Sequence, residues 1–109
     1  MTTYAVIVTP EAQAGIRESF LYIHARAPLN AELWLKRLYA QIDTLSRSPE
    51  RCAFAPERVW LDEDLRHLIF KSHRIVFHVD KENEKVYVLH VRHASRRAVG
   101  EPELPHEPQ

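Results

Sequence analysis

One change of hydrophobic period divides this chain and fixes most of what it can fold into. Up to about residue 45 the apolar side chains recur at helical spacing, and from Leu65 onward they follow the pattern of strands. Ile16, Phe20, Ile23 and Ala27 fall on one face of a first helix. Its start is marked by Thr9 as a cap, Pro10 at the first helical position and Glu11 at the positive end of the dipole. Pro28 reads as its end. Asn30 reads as the cap of a second helix, with Ala31, Trp34, Leu35, Leu38, Ile42 and Leu45 on one stripe and Glu32, Lys36, Arg37 and Asp43 opposite. The short connection makes the two an antiparallel hairpin.

Residues 4–8 are a short strand ahead of the helices. Runs 65–71, 74–79 and 85–92 are strands after them, with turns expected at Lys71-Ser72-His73 and at 80–84. The expected fold is therefore α+β: a strand, an antiparallel helical hairpin, then a three-stranded antiparallel meander, with the hairpin packed on one face of the sheet. A chain of 109 residues fits one domain, taken as 1–97, followed by an acidic, Pro-rich and mobile tail over 98–109. No apolar run reaches the ~20 residues of a membrane-spanning helix. The N-terminus shows no secretory pattern, and the lone Cys52 allows neither an internal disulfide nor a paired-cysteine metal site. A reducing, cytoplasmic setting is the expectation.

The formal charge of zero conceals an uneven distribution. Residues 65–97 carry eight Lys/Arg against three Asp/Glu, together with five of the seven histidines. An anionic partner or a solvated sheet edge both fit that pattern. Overall neutrality, with a pI near 7.1, argues against a general nucleic-acid binder. Placing Ile75, Phe77 and Val79 opposite Val91, Leu89 and Tyr87 gives one apolar face, suited to the helices. Arg74, Val76 and His78 then lie opposite Arg92, His90 and Val88 on the second face. If the preceding strand follows suit, Arg66, Leu68 and Phe70 join them. Arginines and histidines mixed with apolar residues in this way form a candidate groove for an amphipathic or anionic partner.

Four stretches carry a resemblance: Val8-Thr9-Pro10-Glu11-Ala12; the second-helix series Ala31, Trp34, Leu38, Ile42 and Leu45 with Pro49; His73-Arg74-Ile75-Val76-Phe77; and Val88-Leu89-His90-Val91-Arg92-His93-Ala94-Ser95-Arg96. In this order they resemble the RelE/ParE toxins of bacterial type II toxin–antitoxin systems over about residues 4–97. His73 stands where the family usually has Tyr, and Ala94 where it usually has Gly. The resemblance implies a small cytoplasmic toxin neutralised by a cognate antitoxin, with no cofactor and no membrane partner. It also implies two branches. RelE-like members are ribosome-dependent mRNA endonucleases, for which Arg66, Arg74, His93 and Arg96 would be the catalytic set here. ParE-like members bind and inhibit DNA gyrase. No Tyr follows Tyr87, and neutrality suits a ribosome binder poorly. The ParE-like branch is therefore favoured. A RelE-like nuclease and a non-toxic protein-interaction member are the alternatives, so whether the chain is an enzyme stays open. The groove residues expected to meet antitoxin or target are Arg66, Leu68, Phe70, Arg74, Val76, His78, His90 and Arg92. His90 and His93, three apart on a strand, point to opposite faces and make a poor metal pair. No glycine loop suited to phosphate is present, with glycine only at 15 and 100.

Overall fold

The structure, a computed structural model, describes residues 3–56 and 64–94. Strand β1 (Ala5–Val8) leads into helices α1 (Pro10–His24) and α2 (Pro28–Asp43). Two single 3-10 turns follow, Thr44–Ser46 and Pro49–Arg51, and then strands β2 (Leu65–Phe70), β3 (His73–Asp80) and β4 (Lys85–His93). The four strands form one sheet in the order β1-β4-β3-β2. β1 runs parallel to β4, and the other pairs are antiparallel. The expected α+β order is thus the observed one. Arg96, Arg97 and the 98–109 segment lie outside the described residues.

Thr9 starts α1 as its sequence suggests. Its backbone is extended, and its hydroxyl oxygen accepts from Ala12 N–H at 3.3 Å while the hydroxyl donates to the Val88 carbonyl at 2.7 Å. The cap therefore also ties the helix to β4. Gly15 permits the close approach that follows, because a Cβ there would stand 2.5 Å from the Val91 carbonyl oxygen. The second helix begins earlier than expected. Pro28 is its first residue and Ala27 its cap, without a side-chain bond, so Asn30 lies inside the first turn. A proline at that position loses nothing, since its missing N–H would have no intrahelical partner and its φ is already helical. Pro28 opens the second helix and does not close the first.

The hairpin buries Ile16, Trp34, Leu38 and Ile42 against Ile75, Phe77, Val79, Val86, Val88 and Val91 of the sheet, with Leu45 beside them. Each such side chain contributes about 1.5–3 kcal/mol when taken out of water. Two features of the sheet differ from expectation. Arg74, Ile75 and Val76 do pair with Arg92, Val91 and His90, but Phe77 then faces Val88 and Val79 faces Val86. Leu89 is the extra residue of a β-bulge, so the core face of β4 is Val86, Val88 and Val91 rather than Tyr87 and Leu89. The second difference is in β2. Phe70 pairs with His73 across a two-residue turn, Lys71-Ser72, where a three-residue turn was expected. One residue less in the turn reverses the face of every β2 side chain.

Candidate functional site

That reversal splits the expected groove between the two faces of the sheet. Arg66, Leu68 and Phe70 pair with Phe77, Ile75 and His73 and share the helix-covered face. Phe70 is buried there, 6.4 Å in ring centroid from Trp34, and Leu68 packs on the same core. Arg74, Val76, His78, His90 and Arg92 lie on the opposite face. The residues that join them from β2 are Leu65, His67 and Ile69, which the sequence reading left out. The turn length was the signal for them, since Phe70 and His73 can close a two-residue hairpin loop.

Arg66 is held by the fold itself. Its Nε donates to the Asp64 carboxylate at 3.0 Å, and its Nη1 donates to the carbonyls of Glu50 at 3.0 Å and Cys52 at 2.8 Å. The guanidinium also lies 4.2 Å from the centroid of the Phe54 ring. These contacts dock residues 50–54 along the outer edge of β2. Backbone bonds from Ala55 N–H to the Leu65 carbonyl (2.9 Å) and from His67 N–H to the Ala53 carbonyl (3.1 Å) hold the same segment. Cys52, within this segment, is buried, and burial pushes its thiol above the usual range.

On the face away from the helices Arg74, which is buried, and Arg92, which is half-buried, stand directly opposite each other, with Ile69 on the other side of Arg74. The Arg74 Nη1 lies 3.2 Å from His67 Nδ1. Because guanidinium can only donate, His67 accepts at Nδ1 and carries its proton on Nε2, a tautomer assigned from this contact. His78 Nδ1 is 3.2 Å from the Asp64 carbonyl, and its ring stacks with Tyr87 at 6.4 Å between centroids. Val76 and Leu65 are buried with Ala55, and Leu89 packs beside them. Like charges opposite one another on neighbouring strands cost up to about 1 kcal/mol.

His93 belongs to the other side. It pairs with His73, and the two rings meet edge to face at 5.4 Å. His73 is buried against Trp34 at 5.2 Å, with its Nε2 3.0 Å from Ser19 Oγ of α1. Of the four residues expected to form a nuclease set, Arg66 and His93 thus share the helix side, Arg74 faces away, and Arg96 lies outside the described residues. Among the described residues no group of three His, Cys, Asp or Glu side chains is placed to hold a metal ion. No helix among them is long and apolar enough to cross a membrane.

Comparison with known proteins places this geometry. A family model described as the ParE toxin of the type II toxin–antitoxin system parDE matches residues 6–98. Among solved structures the chain is similar to the chromosomal ParDE toxin–antitoxin system from P. aeruginosa, with a TM-score of 0.71 and 16% identity over 85% of this chain and 98% of that one. It is also similar to the RelBE2 toxin–antitoxin complex from Mycobacterium tuberculosis, with a TM-score of 0.58 and 22% identity over 87% and 97% of the two chains. Comparison with curated proteins found no match.

Proposed function

The chain belongs to the ParE toxin family of type II toxin–antitoxin systems, and from that premise we propose that it is a ParE-like toxin that binds and inhibits DNA gyrase in the cytoplasm. The observation that carries this reading is the separation of Arg66 and His93 from Arg74 by the sheet itself. Acid–base cleavage of RNA needs its proton donor, proton acceptor and charge stabiliser around one phosphate, within hydrogen-bond reach. Arg66, moreover, already commits its Nε and Nη1 donors to Asp64, Glu50 and Cys52. A toxin working by surface contact needs no such convergence.

A cognate antitoxin is the second partner, and the face bearing His78, His90 and Arg92, with Arg74 and Val76 buried within it, is the surface proposed to meet antitoxin or target. Leu68 and Phe70, turned toward the helices, are not part of it. The purified toxin should inhibit gyrase supercoiling of relaxed plasmid and leave a cell-free translation reaction running. Prompt arrest of translation with cleavage of the message, and supercoiling unaffected, would replace this reading with the RelE-like one. No effect on either reaction, or on growth when the chain is induced alone, would leave a protein-interaction member without toxicity.

A further inference from the structure

Helix α2 is apolar on two sides, and the fold covers only one of them. Trp34, Leu38 and Ile42 go to the core. On the side away from it Leu29 is 85% exposed, Leu33 44% and Tyr39 39%. Exposed apolar residues scattered singly are ordinary. These three fall within residues 29–39 and line one shallow groove of about 540 Å³, together with Glu32, Leu35 and Lys36. A helix that is apolar on both sides is one that is covered on both sides. The order of the lining residues is also symmetric. Counted in either direction from the level of Trp34, a leucine stands one residue away, a charge two away and a large apolar side chain five away. Only the signs of the two charges, Glu32 and Lys36, differ.

We propose that this groove seats a second copy of the chain, with the two α2 helices antiparallel across a two-fold axis at the level of Trp34. The axis brings Glu32 of each copy level with Lys36 of the other, and Leu29 level with Tyr39. One patch thus supplies both sides of the contact, as a two-fold interface requires. A parallel pairing would set Glu32 beside Glu32 and Lys36 beside Lys36. Within one copy the two charges are four residues apart on an exposed helix surface, where such a pair contributes little. The contact is confined to one helix of about 24 Å. It is therefore smaller than the ~800 Å² per partner of a standard interface, and the association is reversible, with a Kd on the order of 10–100 μM. Because the groove lies on the side of α2 turned away from the sheet, the pairing leaves the face bearing His78, His90 and Arg92 uncovered in both copies. The toxin is then divalent, whichever macromolecule that face meets.

Sedimentation equilibrium of the full chain, over concentrations spanning that Kd, tests the pairing. It should show a monomer–dimer equilibrium. Leu33→Glu should weaken dimerisation at least tenfold while the urea midpoint holds, since the side chain is already exposed in the monomer. Leu29→Ser, at a still more exposed position, should act in the same direction. Lys36→Glu and Glu32→Lys should each weaken self-association at least fivefold, because like charges then meet across the axis. An equimolar mixture of these two variants should recover the wild-type affinity, since every crossed contact is again opposite in charge. Both variants lose the same pair within their own helix, so recovery on mixing can come only from contact between copies. A monomer at every concentration, a dimer unaltered by both Leu33→Glu and Leu29→Ser, or a mixture that associates no better than its components would each overturn the proposal.

Discussion

Arg66 and Arg74 lie on adjacent strands of one hairpin, yet their surroundings give them different tasks. Arg66 satisfies two loop carbonyls and one carboxylate, so its loss would strand the Glu50 and Cys52 carbonyls as well as remove a packed stem. Arg66→Ala should destabilise the fold by about 1–3 kcal/mol, seen as a lower midpoint in urea unfolding. An unchanged midpoint would mean that segment 50–54 is held by its backbone bonds alone. Asp80 makes a similar local brace in the β3–β4 turn. The Asn83 side-chain amide (2.9 Å) and then its backbone N–H (3.2 Å) hold the Asp80 carboxyl below the usual carboxylate range. A depressed folded value means that the brace contributes fully above the unfolded value of about 3.9 and is lost as pH falls through the folded one. In an acid titration followed by NMR, the Asn83 amide should shift with a midpoint below that of an ordinary Asp. Asn83→Ala should move the Asp80 midpoint upward, and a midpoint unmoved by that change would refute the assignment.

At the scale of elements, the bulge at Leu89 is what lets one strand serve two cores. By adding a residue between Val88 and His90, it keeps Val86, Val88 and Val91 on the helix side and turns Leu89 toward Leu65, Val76 and Ala55. Deleting Leu89 would join Val88 to His90 in a regular ladder with every other pair kept. The deletion should therefore still unfold cooperatively, weakened by less than the ~1.5–3 kcal/mol of a fully buried apolar side chain, because Leu89 is only half-buried. Loss of cooperative unfolding would show that the bulge is needed for more than packing. The helices were readable in the sequence because their stripes repeat over three or four turns, and Thr9 and Pro10 mark a start with side-chain chemistry. The sheet was readable only in part. A bulge has no residue signature here, and one residue in the Lys71-Ser72 turn decides the face of all of β2. For the same reason the arginine and histidine content of the candidate face was evident for β3 and the end of β4, while His67 and Ile69 were exchanged for Arg66, Leu68 and Phe70. The parallel pairing of β1 with β4 joins segments about eighty residues apart, and no local pattern encodes it.

Over the whole molecule, the helical hairpin covers one face of the sheet and leaves Arg74 and Arg92 paired on the other. If an acidic antitoxin segment lies there, each desolvated Arg–carboxylate pair contributes about 1–3 kcal/mol. Arg92→Ala should then weaken antitoxin binding on the order of tenfold in a surface-binding assay without lowering stability, because it removes one half of a repulsive pair. Antitoxin affinity unchanged in both Arg92→Ala and Arg74→Ala would place the antitoxin elsewhere. The β1–β4 pairing has a further consequence, in time. The strand made first, Ala5–Val8, finds its partner only in Lys85–His93, the last strand of the sheet to be synthesised. Until that strand has left the ribosome, Val86, Val88 and Val91 cannot close the core, and such long-range pairings are slow to form. The emerging chain thus cannot complete its sheet while these residues are still to be made. The face bearing Arg74 and Arg92 therefore first exists only when the whole sheet does, so any partner that reads it meets a finished toxin and not a growing one.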